Sequence, residues 1–114
     1  MKDRPLSWVG TSLSDVRAFP PQARRAVGYQ LRRVQQGLTP TDWKPMPTVG
    51  AGVAEIRIRG RREHRILYIA KFEEAVYVLH SFEKKSRRTR EADLDLARAR
   101  LKQVESLRRN RKEK

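Results

Sequence analysis

Val53-Ala54-Glu55-Ile56-Arg57-Ile58-Arg59, Arg65-Ile66-Leu67-Tyr68-Ile69-Ala70-Lys71-Phe72 and Ala75-Val76-Tyr77-Val78-Leu79-His80-Ser81-Phe82 follow one another closely in the middle of the chain. The first run alternates strictly, so a strand there turns Ala54, Ile56 and Ile58 to one face and Glu55, Arg57 and Arg59 to the other. The second and third are rich in β-branched and aromatic residues and are of strand length. Gly60-Arg61-Arg62-Glu63 and Glu73-Glu74 are short polar connections. Consecutive strands joined so tightly form an antiparallel meander.

Upstream, Leu6-Ser7-Trp8-Val9 before Gly10 reads as a short first strand. Ser12 or Ser14 is placed to cap a helical turn through Asp15-Val16-Arg17-Ala18-Phe19, since a hydroxyl there accepts from an unpaired backbone N–H. Pro20-Pro21 interrupts that turn, and Pro21 suits the first position of a second helix. In that helix Ala23, Ala26, Val27, Leu31 and Val34 recur at helical spacing until Gly37. Residues 39–47, with Pro40, Pro45 and Pro47, read as an ordered loop pinned by Trp43. Downstream, Thr89 is placed to cap a last helix, with Glu91 and Asp93 in the first turn, where the helix dipole favours negative charge. Leu94, Ala97, Leu101 and Val104 give that helix an apolar face, and residues 108–114 read as a frayed basic tail. The order β-α-α-β-β-β-α predicts an α+β fold, a small antiparallel-rich sheet with helices packed on one face.

A chain of 114 residues has room for one core, so residues 1–114 are expected to form a single domain. With no cysteine and only His64 and His80, neither a disulfide framework nor a metal centre is expected. No apolar run approaches the roughly 18 residues that span a bilayer, and the first residues form no signal-like segment, which predicts a cytoplasmic protein with no membrane partner. Lys and Arg number 27 against 13 Asp and Glu, a formal charge of +14, and such an excess points to a polyanion, nucleic acid first. Residues 1–60 carry ten of the basic residues and residues 61–114 seventeen, so the basic character belongs to the body of the chain and not to a tail.

Asp42-Trp43-Lys44-Pro45, Glu55-Ile56-Arg57, Arg65-Ile66-Leu67-Tyr68 and, above all, Ala75-Val76-Tyr77-Val78-Leu79-His80-Ser81-Phe82-Glu83-Lys84-Lys85 together resemble the HigB-like, phage-related killer proteins of the RelE/ParE superfamily. The likeness runs from about Trp43 to Val104. Ser86 stands where that family usually has Thr, and Arg90 where it often has Pro; neither change disturbs the fold. The resemblance implies the toxin of a type II toxin–antitoxin pair: a small sheet with helices on one face and an open face that holds mRNA, often on the ribosome. It implies an endoribonuclease in which a ribose 2′-hydroxyl attacks the adjacent phosphate, with no metal or other cofactor. A cognate antitoxin, commonly a helix-turn-helix protein, is implied as partner.

Such cleavage needs cations to neutralise the phosphorane, a base and an acid. Arginine pairs phosphate oxygens bidentately, and Arg57 and Arg65 fall on neighbouring strands, close enough in an antiparallel pair to share one phosphate, with Arg65 read as a surface-facing cation whose loss the fold should tolerate. Lys84 and Lys85 follow a strand end, Lys84 in phase with His80 and Phe82; a lysine among other cations can also move a proton. His80 is a candidate general acid, although its phase with Val76, Val78 and Phe82 favours a hydrogen-bonded core histidine. His64 reads as surface, Tyr68 as core ahead of proton donor, and Glu55 as the ion-pair partner of Arg57 ahead of base. Arg59, Arg61, Arg62, Lys71, Arg87 and Arg88 are expected to contact the RNA backbone. Two other readings are a ParE-like toxin of the same fold that acts on a protein such as DNA gyrase, and an inactive basic phage protein that binds nucleic acid. A gyrase binder has no need of paired Arg57 and Arg65.

Overall fold

The three central runs form the middle of a five-stranded sheet in the computed structural model, which describes residues 3–112. In chain order the elements are β1 (Leu6–Trp8), α1 (Ser12–Arg17), α2 (Pro21–Gln35), β2 (Trp43–Pro45), β3 (Val53–Ile58), β4 (Glu63–Ile69), β5 (Val76–Lys84) and α3 (Glu91–Lys112). Across the sheet the order is β1-β5-β4-β3-β2. The meander β3-β4-β5 is antiparallel with Arg57 opposite Arg65 and Arg65 opposite Phe82, while β1 pairs parallel to β5.

The expected order stands with one addition. Within the proline-rich stretch read as loop, Trp43–Pro45 adds an edge strand antiparallel to β3, with Lys44 opposite Glu55. Proline is tolerated on an edge, where its missing N–H faces no partner. Backbone bonds from Arg57 N–H to Asp42 (2.9 Å) and from Met46 N–H to Val53 (2.8 Å) extend the pairing. Trp43 does not pin this stretch, because it is 40% exposed; Pro40 and Met46 are the buried side chains, and Gln30 holds Thr41 through two hydrogen bonds.

The mixed α+β class is as expected, but the helices divide between both faces of the sheet. Val27, Leu31 and Val34 of α2, with Val16 of α1, pack on Ile56, Ile66, Tyr68, Val76 and Val78. Ala97, Leu101 and Val104 of α3 pack on the opposite side chains, Leu67, Ile69, Tyr77 and Leu79. The cause is local: β4 and β5 are apolar at consecutive positions, so both of their faces need cover, each buried aliphatic side chain contributing about 1.5–3 kcal/mol.

The helix ends also differ in detail. Pro21 opens α2 and Gly37, at φ 84°, closes it in a left-handed conformation that glycine adopts without strain. Neither serine caps α1: Ser12 is buried and its Oγ donates to the Val78 carbonyl (3.1 Å), and Ser14 donates back to Thr11. α3 starts at Glu91, one residue too late for Thr89 to cap it. Nor is its end frayed at Arg108, which donates to Glu74 (2.7 Å) and lies over the Phe72 ring (3.8 Å); of the expected tail, residues 113–114 lie outside the described residues. No helix among the described residues is long and apolar enough to cross a membrane.

Candidate nucleic-acid interface

Alternation along β3 sets Glu55 and Arg57 on one face, and the β3-β4 register brings Arg65 beside them. Glu55 is 1% exposed, and its Oε1 lies 3.5 Å from Arg65 Nε, 3.7 Å from Arg57 Nε and 4.0 Å from Lys44 Nζ. Its Oε2 is buried with no hydrogen-bond partner. Arg65 is not the surface-facing cation expected on the open face of the meander: it is 3% exposed and donates through Nη2 to Glu63 (2.5 Å). Its strand is flanked on both sides and Phe82 stands opposite, so the guanidinium is buried and must be paired. The bond from Arg65 holds the Glu63 carboxyl below its ordinary pKa. Arg57 is the guanidinium of the pair that reaches solvent, steadied by Asp42 at 3.7 Å; Asp42 also binds Arg59 (2.6 Å) and raises its pKa.

A groove of about 670 Å³ opens over this cluster. Arg57 of β3 and Arg59, Arg61 and Arg62 of the β3-β4 hairpin form one wall. Glu63 and Arg65 of β4 lie between them and Glu83 and Lys84 at the end of β5; Lys85, Ser86 and Arg87 of the following loop complete the lining. Eight cations thus face two carboxylates. Lys84 is opposite Glu63, on the face of Arg65, while Lys85 is fully in the exposed loop. In that loop the Ser86 hydroxyl donates to the Arg88 carbonyl (2.6 Å); Arg88 itself does not line the groove. Lys71 is not with this set. It lies past the other end of β4, 5.3 Å from the Phe72 ring, because it sits in the β4-β5 turn at the opposite end of the strands.

The other candidates fall outside the groove. Leu67 pairs with His80 but Tyr68 with Val78, so Leu79 is an extra residue in β5, and this bulge ends the phase that His80 was expected to share with Val76 and Val78. His80 therefore faces α3, where its Nε2 bonds Asp93 (2.8 Å), its Nδ1 lies 3.4 Å from Arg100 Nη1, and its ring stacks on Phe82. It is 5% exposed, with both ring nitrogens engaged. Arg100, which sequence reasoning missed, is buried between β5 and α1, donating to the Leu79 carbonyl (3.0 Å) and Thr11 Oγ1 (2.9 Å); burial lowers its pKa. The available signal was Gly10, at φ 57°, where a Cβ would meet the Arg100 guanidinium at 2.6 Å. His64 is not on the surface: it is opposite Ile58, 2% exposed, against Phe19 (4.3 Å). Burial lowers its pKa, opposed by Glu83 and the Arg62 backbone. Tyr68 lies in the core beneath α2, where burial pushes its hydroxyl up to about 12.

The arrangement can therefore bind and orient phosphates and stabilise charge that develops on them. Among the described residues no group of three His, Cys, Asp or Glu is placed to hold a metal ion. The model of the phage-derived Gp49-like protein family (DUF891) matches residues 14–102, a span that includes every residue lining the groove. No curated protein gives a significant match.

Proposed function

The chain belongs to the phage-derived Gp49-like family, in broad terms a family of RelE-like toxins, and from that premise we propose that it is the HigB-like toxin of a type II toxin–antitoxin pair that cleaves mRNA. The observation that carries the reading is the groove in which Arg57 and Lys84 flank the buried Arg65. The 2′-oxygen of one ribose attacks the neighbouring phosphorus and the P–O5′ bond breaks, leaving a 2′,3′-cyclic phosphate and a 5′-hydroxyl. The 2′-hydroxyl proton passes to solvent water, and one proton is delivered to the departing oxygen. Arg57 and the Lys84 ammonium neutralise the phosphorane, and Lys84 supplies the second proton. Arg65, anchored by Glu55 and Glu63, fixes the position of this set, and Glu55 holds Arg57 and Arg65 together. Arg59, Arg61, Arg62, Lys85 and Arg87 bind the flanking backbone.

In this reading the protein acts in the cytoplasm on messages held by the ribosome, and a helix-turn-helix antitoxin blocks the groove. Inducing the chain alone and with the product of its neighbouring reading frame, while mapping transcript 5′ ends, tests it. Growth arrest, new 5′-hydroxyl ends and relief by the neighbour are expected. Arrest without new ends would point to a protein target, and unimpaired growth with folded toxin present would reject the toxin reading.

A further inference from the structure

Beside the basic groove, and sharing its rim, lies a smaller cavity of about 250 Å³ between the first turn of α2 and the β3-β4 hairpin. Ala23, Ala26 and Ile58 give it apolar walls, and Arg59, Arg61 and Arg62 line both this cavity and the groove. Two independent features leave it with unused hydrogen-bonding groups. Pro20 at the cap position offers no side-chain acceptor, the first turn of α2 holds no acidic residue, and the N–H groups of Gln22 and Ala23 have no acceptor within the helix. His64, part of the cavity wall, is 2% exposed, and its Nδ1 is buried without a hydrogen bond. A buried unpaired ring nitrogen is destabilising, so a partner from outside would be gained once a small turn of the His64 ring brings Nδ1 to the cavity surface.

We propose that this cavity is a nucleobase site, taking one unstacked base of the RNA strand that lies in the groove. The proposal rests on the RNA-cleaving reading of that groove. A base has apolar faces for Ala23, Ala26 and Ile58 and a polar edge for His64 Nδ1 and the free amides of α2. A phosphate would be poorly served by those walls, and it already has the arginines of the rim. Those arginines hold the phosphates on either side of the inserted base, so the strand passes over the hairpin without leaving positive charge. A neutral His64 ring, which its burial favours, offers Nδ1 as donor or acceptor according to tautomer.

Short, uncleavable 2′-O-methyl RNA strands of mixed sequence, each with one abasic position moved along the strand, test this by fluorescence anisotropy with the full chain. Wild type is expected to lose about tenfold in affinity when the abasic position falls at the cavity, the scale of one lost base stack. Ala23→Phe, which fills the cavity, and His64→Phe, which keeps the ring and removes its nitrogens, are expected to flatten that dependence while binding the abasic strand as wild type does. If Ala23→Phe fails to fold, His64→Phe carries the comparison alone. Tight binding that is indifferent to every abasic position would overturn the base site and leave the groove reading intact; such a cavity would be left to a protein partner. Position dependence that survives in the folded variants would place base recognition elsewhere and also overturn it. Failure of wild type to bind any strand would overturn both readings.

Discussion

Arg65→Ala should destabilise the protein severely, for a reason that lies in its neighbours. The Arg65 side chain is 4% exposed and sits 3.5 Å from Glu55, itself 1% exposed. Breaking a buried ion pair by removing one member costs about 3–5 kcal/mol, because the other charge is stranded. Here Arg57 and Lys44 remain within 3.7 and 4.0 Å of the stranded oxygen, so the loss belongs at the lower end, about 3 kcal/mol. With an unfolding entropy of about 2.1 cal/mol/K per residue, 1 kcal/mol moves the Tm of a 114-residue domain by roughly 4 °C, giving a fall of about 12 °C. Removing both charges in Arg65→Met/Glu55→Gln should recover most of it, to within about 1 kcal/mol of wild type, since neither member of the pair is then left as a stranded buried charge. Urea unfolding of wild type, Arg65→Ala, Glu55→Gln and Arg65→Met/Glu55→Gln measures this directly. An Arg65→Ala midpoint equal to that of wild type would return Arg65 to the surface-facing role expected from the sequence.

RNA binding should be largely electrostatic: if about five phosphates are contacted, the log–log salt slope on single strands should be on the order of −3.5, and a slope near zero would leave the groove's charge unexplained. His80→Phe should cost about 2 kcal/mol in unfolding free energy by stranding Asp93, yet leave RNA cleavage per folded molecule unchanged; a large loss of cleavage would make His80 catalytic. The Arg108 bond holds the Glu74 carboxyl at about 2 against an ordinary 4.5. Because the folded-state value is the lower one, this contact stabilises fully above pH 4.5 and fades as pH falls through about 2. Arg108→Met should therefore melt below wild type near neutral pH, with the gap closing across that window; a gap independent of pH would assign the effect to the Arg108 stack on Phe72.

The meander was legible because Ala54, Ile56 and Ile58 alternate strictly with Glu55, Arg57 and Arg59, and because short polar turns leave no other pairing. That pattern also placed Arg57 on the groove side and named Glu55 as its partner. Other parts needed three dimensions. Strand alternation carries no mark of an inserted residue, so the bulge at Leu79 was invisible, and with it the turn of His80 toward α3. A cation at the start of a strand looks solvated whether or not that strand is central, which hid the burial of Arg65. His64 was assigned to a polar connection, but β4 begins at Glu63 and turns that ring inward against Phe19. Prolines masked β2 because they are excluded from central strands but not from edges, and without β2 nothing brought Lys44 near Glu55. The double-sided cover of the sheet was present in the consecutive apolar residues Ile66-Leu67-Tyr68-Ile69, a run that requires a helix layer on each side.

On the proposed function the groove cleaves RNA through its solvent-facing cations, with Arg65 holding them in place. Incubating a translated message with purified wild type, Arg57→Ala and Lys84→Ala, and following 5′ ends over time with thermal melts alongside, separates cleavage from folding. Lys84 is half-buried, so Lys84→Ala should melt within about 0.5 kcal/mol of wild type; Arg57, 27% exposed, pairs with the buried Glu55, so Arg57→Ala should cost about 1 kcal/mol and still fold, with Arg65 and Lys44 left to hold that carboxylate. Each should cleave about a hundredfold more slowly, the equivalent of roughly 3 kcal/mol of lost transition-state stabilisation. A wild-type protein that leaves the message intact, or two folded variants that cut it at the wild-type rate, would show that these cations do not cleave RNA.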